Sequence, residues 1–403
     1  MKCNFAAAAK KLQPELVEIR RHLHAHPEPG ANQPESAAYL AGLFSGMEVE
    51  LKYGANHTGL IVDIHGKYPG PTIALRADMD ALFMQETDSG NHLPNIFGFS
   101  SKKDNVMHGC GHDAHSAILF GAGKIIHENR EKLKGNVRLL FQPGEEGHFG
   151  GRRMVEAGYL DDVDKVFAFH SYPHLKVGQV AYRKGGICAA IDVVNVVVKG
   201  IGGHGAHPEN SSDQILAVAR IINDLQSVVS RRISALHQVV ISICHINAGN
   251  RTAYSVMPAS AEFAGNIRTF DRDIRRDVKQ MFHDVCYSSV KTVHPECRVE
   301  ISYEEKYPVT YNDPAVVERL NAVLPAFIAA ENLFTDYRPL LVSEDFSYML
   351  ERVPGAMMLL GVTSPDKDMG KIPFLHNPDF DIDENALWFG AQVFSNIVFN
   401  IPE

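Results

Sequence analysis

Cysteine is scarce in this chain. Six of 403 residues, at positions 3, 110, 188, 244, 286 and 297, are too scattered for a disulfide scaffold or a zinc ribbon. That scarcity suits a reducing compartment, and a cytoplasmic protein is expected. No apolar run is long enough to span a bilayer. The opening residues, Met1 to Phe5 and then four alanines, meet Lys10 and Lys11 before an apolar stretch of signal-peptide length accumulates. A dense Lys/Arg run is missing as well: 39 basic against 48 acidic side chains give a formal charge of −9. That balance argues against nucleic acid or an anionic membrane as partner and leaves a small molecule as the expected ligand. Neither a Gly-x-Ser-x-Gly elbow nor a phosphate-cradling glycine loop occurs, which sets aside serine hydrolase and nucleotide-binding chemistry.

What is present is ordinary globular material, 45% hydrophobic and 22% charged, in a length that calls for two domains. Residues 59–64, 72–75, 137–141 and 166–169 read as strands and 114–132 as a helix, the order of a layered α/β sheet covered by helices. Asp113 stands where it would cap that helix. From about residue 187 the pattern becomes strand 191–198, helix 213–230, strands 239–246 and 261–268, helix 273–293 and strand 298–303. That is the split βαβ order of a ferredoxin-like domain. Strand 356–361 and helix 384–397 follow Pro308. Chemical candidates flank the ferredoxin-like stretch, so the reading is a discontinuous first domain, 1–186 and 307–403, with the ferredoxin-like domain inserted at 187–306.

Met107-His108-Gly109-Cys110-Gly111-His112-Asp113-Ala114-His115 sets a thiol and an imidazole two residues apart, just before a helix. Glycines allow both side chains to face one point, and a helix N-terminus favours the thiolate that a metal needs. Taken alone, an isolated Cys-x-His is more often a catalytic or buried cysteine beside an unrelated histidine. In Phe141-Gln142-Pro143-Gly144-Glu145-Glu146-Gly147 two carboxylates follow a strand at its carboxyl end, where α/β sheets bind ligands. One can ligate a metal while its neighbour reaches a water as general base, and the plain alternative is a solvated acidic loop. His170 ends strand 166–169, and His376 lies in Leu375-His376-Asn377-Pro378. The triplet His22, His24 and His26 precedes Pro27 and reads as structural.

These segments, with Arg76-Ala77-Asp78-Met79-Asp80-Ala81-Leu82, Gly202-Gly203-His204-Gly205-Ala206 and Ser343-Glu344-Asp345-Phe346, resemble the metal-dependent aminoacylase and peptidase family. The likeness is to its subgroup of hippurate hydrolases, N-acyl-amino-acid amidohydrolases and auxin-conjugate hydrolases, and it runs over nearly the whole chain. The resemblance implies two divalent ions, zinc, manganese, nickel or cobalt, held by Cys110, His112, Glu146, His170 and His376. It implies Glu145 as general base, His204 as a lid residue that binds substrate or stabilises the oxyanion, and Arg268 as a contact for the substrate carboxylate. Asp78, Asp113 and His115 are expected to orient ligands. An N-acyl-amino acid is the expected substrate, and a homodimer through the lid the expected assembly. A dipeptidase, an N-acetyl-diaminopimelate deacetylase and an inert binding relative are the rival readings. Two departures bear on specificity: Phe83 stands where the subgroup usually has proline, and Ser255 where it usually has asparagine.

Overall fold

The computed structural model describes residues 3–54 and 59–401; Met1 and Lys2, the head of the N-terminal stretch read above, lie outside them. Apolar runs form four central strands, Tyr68–Asp78, Lys134–Gln142, Lys165–Lys176 and Gly355–Thr363, each parallel to its neighbour among them. Every residue of Gly355–Thr363 is buried, as a parallel strand covered on both faces must be. Antiparallel and short strands complete an eight-stranded mixed sheet among the described residues. Its order is Glu50–Tyr53, Leu60–His65, Lys134–Gln142, Tyr68–Asp78, Lys165–Lys176, Gly355–Thr363, Val180–Ala181, Leu333–Phe334.

Helices Ala6–Ala25, His112–Glu128 and Asn385–Asn400 pack on one another. Their apolar faces join strand residues such as Leu75, Leu139 and Phe141 in one core with Leu16, Phe120 and Phe394. Burial of each such side chain contributes about 1.5–3 kcal/mol, so the sheet gives a rigid base for whatever its strand ends carry. The common direction of the four parallel strands brings Asp78, Gln142 and the His170 region to one edge of the sheet.

Two expectations are corrected. His170 does not end its strand, because Lys165–Lys176 stays paired with Gly355–Thr363 well past it, while pairing with Tyr68–Asp78 stops at Ala168. Helix 114–132 instead runs His112–Glu128, followed by a separate turn at Arg130–Lys132.

The chain divides into two compact units. The first holds the residues up to Ile187, Tyr311–Arg338 and those from Asp345 onward; the second holds Cys188–Thr310 and Pro339–Glu344. The second unit carries a four-stranded antiparallel sheet in the order Val239–Ala248, Ser260–Thr269, Ala190–Lys199, Arg298–Glu305. Helices Gln214–Ser227 and Arg272–Val293 cover it, with Val196, Ile221, Phe263 and Phe282 at the centre of its own core. Strand order and connections are those of the ferredoxin-like arrangement read from the sequence. Both helices are N-capped by aspartates, Asp213 and Asp271, each a contribution of about 1 kcal/mol. Among the described residues no helix is long and apolar enough to cross a membrane.

Candidate metal centre

Gly111 sits between the thiol of Cys110 and the imidazole of His112 with φ +89°, a conformation that glycine adopts without cost. A Cβ there would also come within 2.8 Å of Ser171 Oγ. This left-handed residue, not Asp113, is the N-cap of helix His112–Glu128. The helix therefore starts two residues earlier than expected, and Asp113 falls in its first turn. Its carboxylate accepts from Arg20 Nε at 2.9 Å and pairs with His24 Nδ1 at 2.8 Å.

His112 is fully buried, and its Nδ1 donates to the Asp80 carbonyl at 2.9 Å, with Asp80 Oδ1 at 3.2 Å. Its Nε2 has no hydrogen-bond partner among the described residues. His170 repeats the pattern: Nδ1 lies 2.9 Å from the Ser171 carbonyl and Nε2 3.5 Å from Cys110 Sγ. In both rings the Nδ1 bond fixes the tautomer and leaves the Nε2 lone pair for a cation. His115 differs. Its Nδ1 lies 2.6 Å from Asp78 Oδ1 and its Nε2 2.9 Å from Ser171 Oγ, so both nitrogens are occupied.

The turn after strand Lys134–Gln142 sends the adjacent carboxylates of Glu145 and Glu146 to different tasks. Glu145, 6% exposed, accepts from the backbone of Asp345 at 3.2 Å. Glu146 Oε1 lies 2.9 Å from His376 Nε2. Asp345 is itself fixed by Arg76, Gln142 and the Gly151 amide. His376 has φ +60°, unusual for a residue with a side chain, and its amide donates to the Gly109 carbonyl at 2.8 Å.

Among the described residues, five sets of potential ligand atoms lie within 4.8 Å of one another: Cys110, His112 and His170; Cys110, Glu146 and His376; His112, Glu145 and Glu146; Asp78, His112 and His115; and Glu145, Glu344 and Asp345. All six residues singled out in the sequence as ligands and base are thus drawn to one place, with Cys110 common to two sets. Asp78 lies against this cluster, its Oδ2 3.6 Å from His112 Nε2 and 2.7 Å from Arg76. His204 and Arg268 belong to the second unit. His204 is exposed and accepts at Nδ1 from the Ala206 amide, and Arg268 donates to the Leu341 carbonyl at 2.6 Å and to Ser343 Oγ. The side chain of Arg268 anchors the short returning stretch Pro339–Glu344 within that unit.

One orienting residue escaped the sequence reading. Asp80 holds His112 Nδ1 through one carboxylate oxygen and the Glu146 amide, at 2.9 Å, through the other. Its signal was its place two residues after Asp78 in the Arg76–Leu82 motif.

The local field favours added positive charge. Burial works against a charged His112, yet Asp78, Asp80 and Glu146 raise its pKa to about 10. Burial lowers that of His170 to about 3 and keeps its ring neutral, the form that ligates. Burial also works against an ionised Asp78, but Arg76, followed by His112 and His115, holds its carboxyl well below the usual range. An unpaired imidazole nitrogen, a thiol and a surplus of carboxylates are a donor set that fits divalent cations.

This arrangement, at the carboxyl edge of parallel strands, is the layout of a metal-dependent α/β hydrolase. The sequence profile of peptidase family M20/M25/M40 matches residues 74–400. An N-acetyl-L-cysteine deacetylase of Bacillus subtilis (strain 168) is 36% identical, over 93% of this chain and 85% of that one. The IAA-amino acid hydrolase ILR1-like 4 of Arabidopsis thaliana is 34% identical, over 95% of this chain and 84% of that one. Among solved structures, the Bacillus subtilis YXEP protein, a dinuclear metal binding peptidase from the M20 family, superposes with a TM-score of 0.82. It is 30% identical, with 98% of this chain and 99% of that one covered. The chain belongs to peptidase family M20/M25/M40, and it is a hydrolase acting on amide bonds.

Proposed function

We propose that the protein hydrolyses the amide bond of N-acyl-amino acids such as hippurate, with two divalent cations held by Cys110, His112, Glu146, His170 and His376. One observation carries this reading: two ligand triads share Cys110, and both imidazoles in the first are fixed through Nδ1. The deacetylase and conjugate-hydrolase relatives, which bear the names of N-acylated amino-acid substrates, support the substrate class. Thiolate, carboxylate and imidazole together suit zinc, manganese, nickel and cobalt alike.

A pair of such cations, when bound, supplies Lewis acidity that lowers the pKa of water and polarises an amide carbonyl. Glu145 accepts a proton from the water that attacks the acyl carbon. As the carbon–nitrogen bond breaks, it returns that proton to the leaving amine, so carboxylic acid and free amino acid leave with Glu145 ionised again. The Asp345 amide keeps the Glu145 carboxylate aimed, and Asp78, Asp80 and His115 keep the ligands in place. His204 is assigned to the developing oxyanion and Arg268 to the substrate carboxylate. The first unit is read as the catalytic domain and the second as its inserted lid, through which two copies pair; six cysteines outside any disulfide accord with a cytoplasmic setting.

Glu145→Gln tests the assignment. It should retain two metals per chain while turnover of hippurate falls by about 10²–10⁴-fold. A variant that keeps most of its activity would overturn the role of Glu145. A panel of N-acetyl, N-aroyl and dipeptide substrates, assayed with metal analysis, tests the substrate class: dipeptides as the only substrates would favour a dipeptidase.

A further inference from the structure

Arg20 lies on helix Ala6–Ala25, 1% exposed, and its guanidinium addresses three carboxylates from two distant segments. Nε meets Asp113 at 2.9 Å, Nη2 meets Asp381 at 2.6 Å and Nη1 meets Glu384 at 3.3 Å. Asp113 directly follows His112 in the first turn of its helix. Asp381 closes the loop that begins at His376, and Glu384 is the N-cap of the final helix. A buried cation thus ties the segment that carries Cys110 and His112 to the one that carries His376.

The second segment needs such a tie. The side chain of His376 is 51% exposed, so packing holds it weakly, and φ +60° is a conformation the free loop would leave. Besides Arg20, the segment is held by the 2.9 Å pair of His376 with Glu146, by the buried side chains of Phe380 and Ile382, and by the backbone bonds of His376 to Gly109 and of Thr87 to Pro378. We infer that Arg20 is a positioning residue that clamps the His376 segment to the start of the Cys110–His112 helix and thereby sets the affinity of the cation cluster. The inference rests on the ligand assignment proposed above. Only a planar fork with several donors reaches three carboxylates in different directions, and a lysine in its place keeps the charge but loses that geometry.

The test uses the full-length protein with Arg20→Lys and, as a milder cut that leaves Arg20 on Asp113 and Glu384, Asp381→Asn. Metal-free samples are titrated with Co(II) against a chelator, and the thiolate-to-cobalt absorption band is followed alongside the melting temperature of the metal-free protein. The clamp predicts a loss of Co(II) affinity of about 10–100-fold in both variants, with a weakened or shifted thiolate band. The double variant should lose no more than the worse single one. A purely structural role predicts a lower melting temperature with wild-type affinity and band in the folded protein, and that result would overturn the inference. If Arg20→Lys does not fold, Asp381→Asn alone decides by the same criteria. A wild-type protein that binds Co(II) with no thiolate band would overturn the ligand assignment, and the clamp with it.

Discussion

His112 and His376 bring the same ring to one cluster by contrasting means. His112 is fully buried at the start of a helix, its Nδ1 held by Asp80 and its surroundings filled by Asp78 and Arg76. His376 is half exposed on a loop, in a left-handed backbone conformation, held by one amide bond to Gly109, by its pair with Glu146 and by the charge cluster beyond it. The first arm is rigid because neighbouring side chains leave it no alternative. The second is held in place from a distance, against a local backbone preference, as strained residues at functional sites commonly are. Substitutions should therefore separate stability from metal binding on the His376 arm and lower both on the His112 arm.

The largest separation is expected from His376→Gly. Losing the ligand should reduce metal content to about one ion per chain and abolish turnover. Relief of the left-handed conformation should leave the metal-free protein as stable as wild type or up to about 1 kcal/mol more stable by denaturant titration. Asp80→Ala should act in the opposite sense on the buried arm. The His112 Nδ1 and the Glu146 amide both lose a partner, so metal affinity should fall about 10–100-fold and metal-free stability by about 1–3 kcal/mol. A Glu146 and His112 that bind metal normally without Asp80 would erase the proposed difference between the arms.

A smaller effect should appear with pH. His24 pairs with Asp113 and Glu86 behind the buried arm. Burial opposes its charge, but the hydrogen bonds to Asp113 and Glu86 raise its pKa from 6.5 to about 9. A raised imidazole pKa contributes stability that is fully present below the unfolded value of 6.5 and is lost as pH rises through about 9. Glu86, whose pKa falls from 4.5 to about 2, contributes stability present above 4.5 and lost as pH drops toward 2. Denaturant midpoints of the metal-free protein between pH 6 and pH 9.5, on the order of the shift just described, should decline more steeply in wild type than in His24→Gln. Equal slopes would show that His24 is neutral in the folded protein.

Much of this was legible from residues alone, because the signals were local. Apolar runs and periodicities gave five of the eight strands of the first sheet and all four strands and both helices of the second unit, and the Cys110 and Glu145–Glu146 segments announced donors at a helix start and a strand end. What escaped was set by contacts between distant parts of the chain. The capping role expected of Asp113 went to Gly111, whose left-handed turn lies where a Cβ would crowd Ser171. His170 lies within its strand because a partner 189 positions away, Leu359, keeps pairing with it. Arg20 meets Asp113 and Asp381 across 93 and 361 positions, separations that no periodicity carries. Asp80 carried a local sign, yet nothing in its spacing distinguished it from Asp78.

The central claim is that the Cys110 sulfur shares a cation cluster with imidazoles from separate segments, and X-ray absorption at the edge of the bound metal tests it most directly. With zinc, the account predicts a sulfur scatterer at about 2.3 Å together with imidazole scattering in wild type, and loss of the sulfur shell in Cys110→Ser. A wild-type spectrum with nitrogen and oxygen neighbours alone would contradict it.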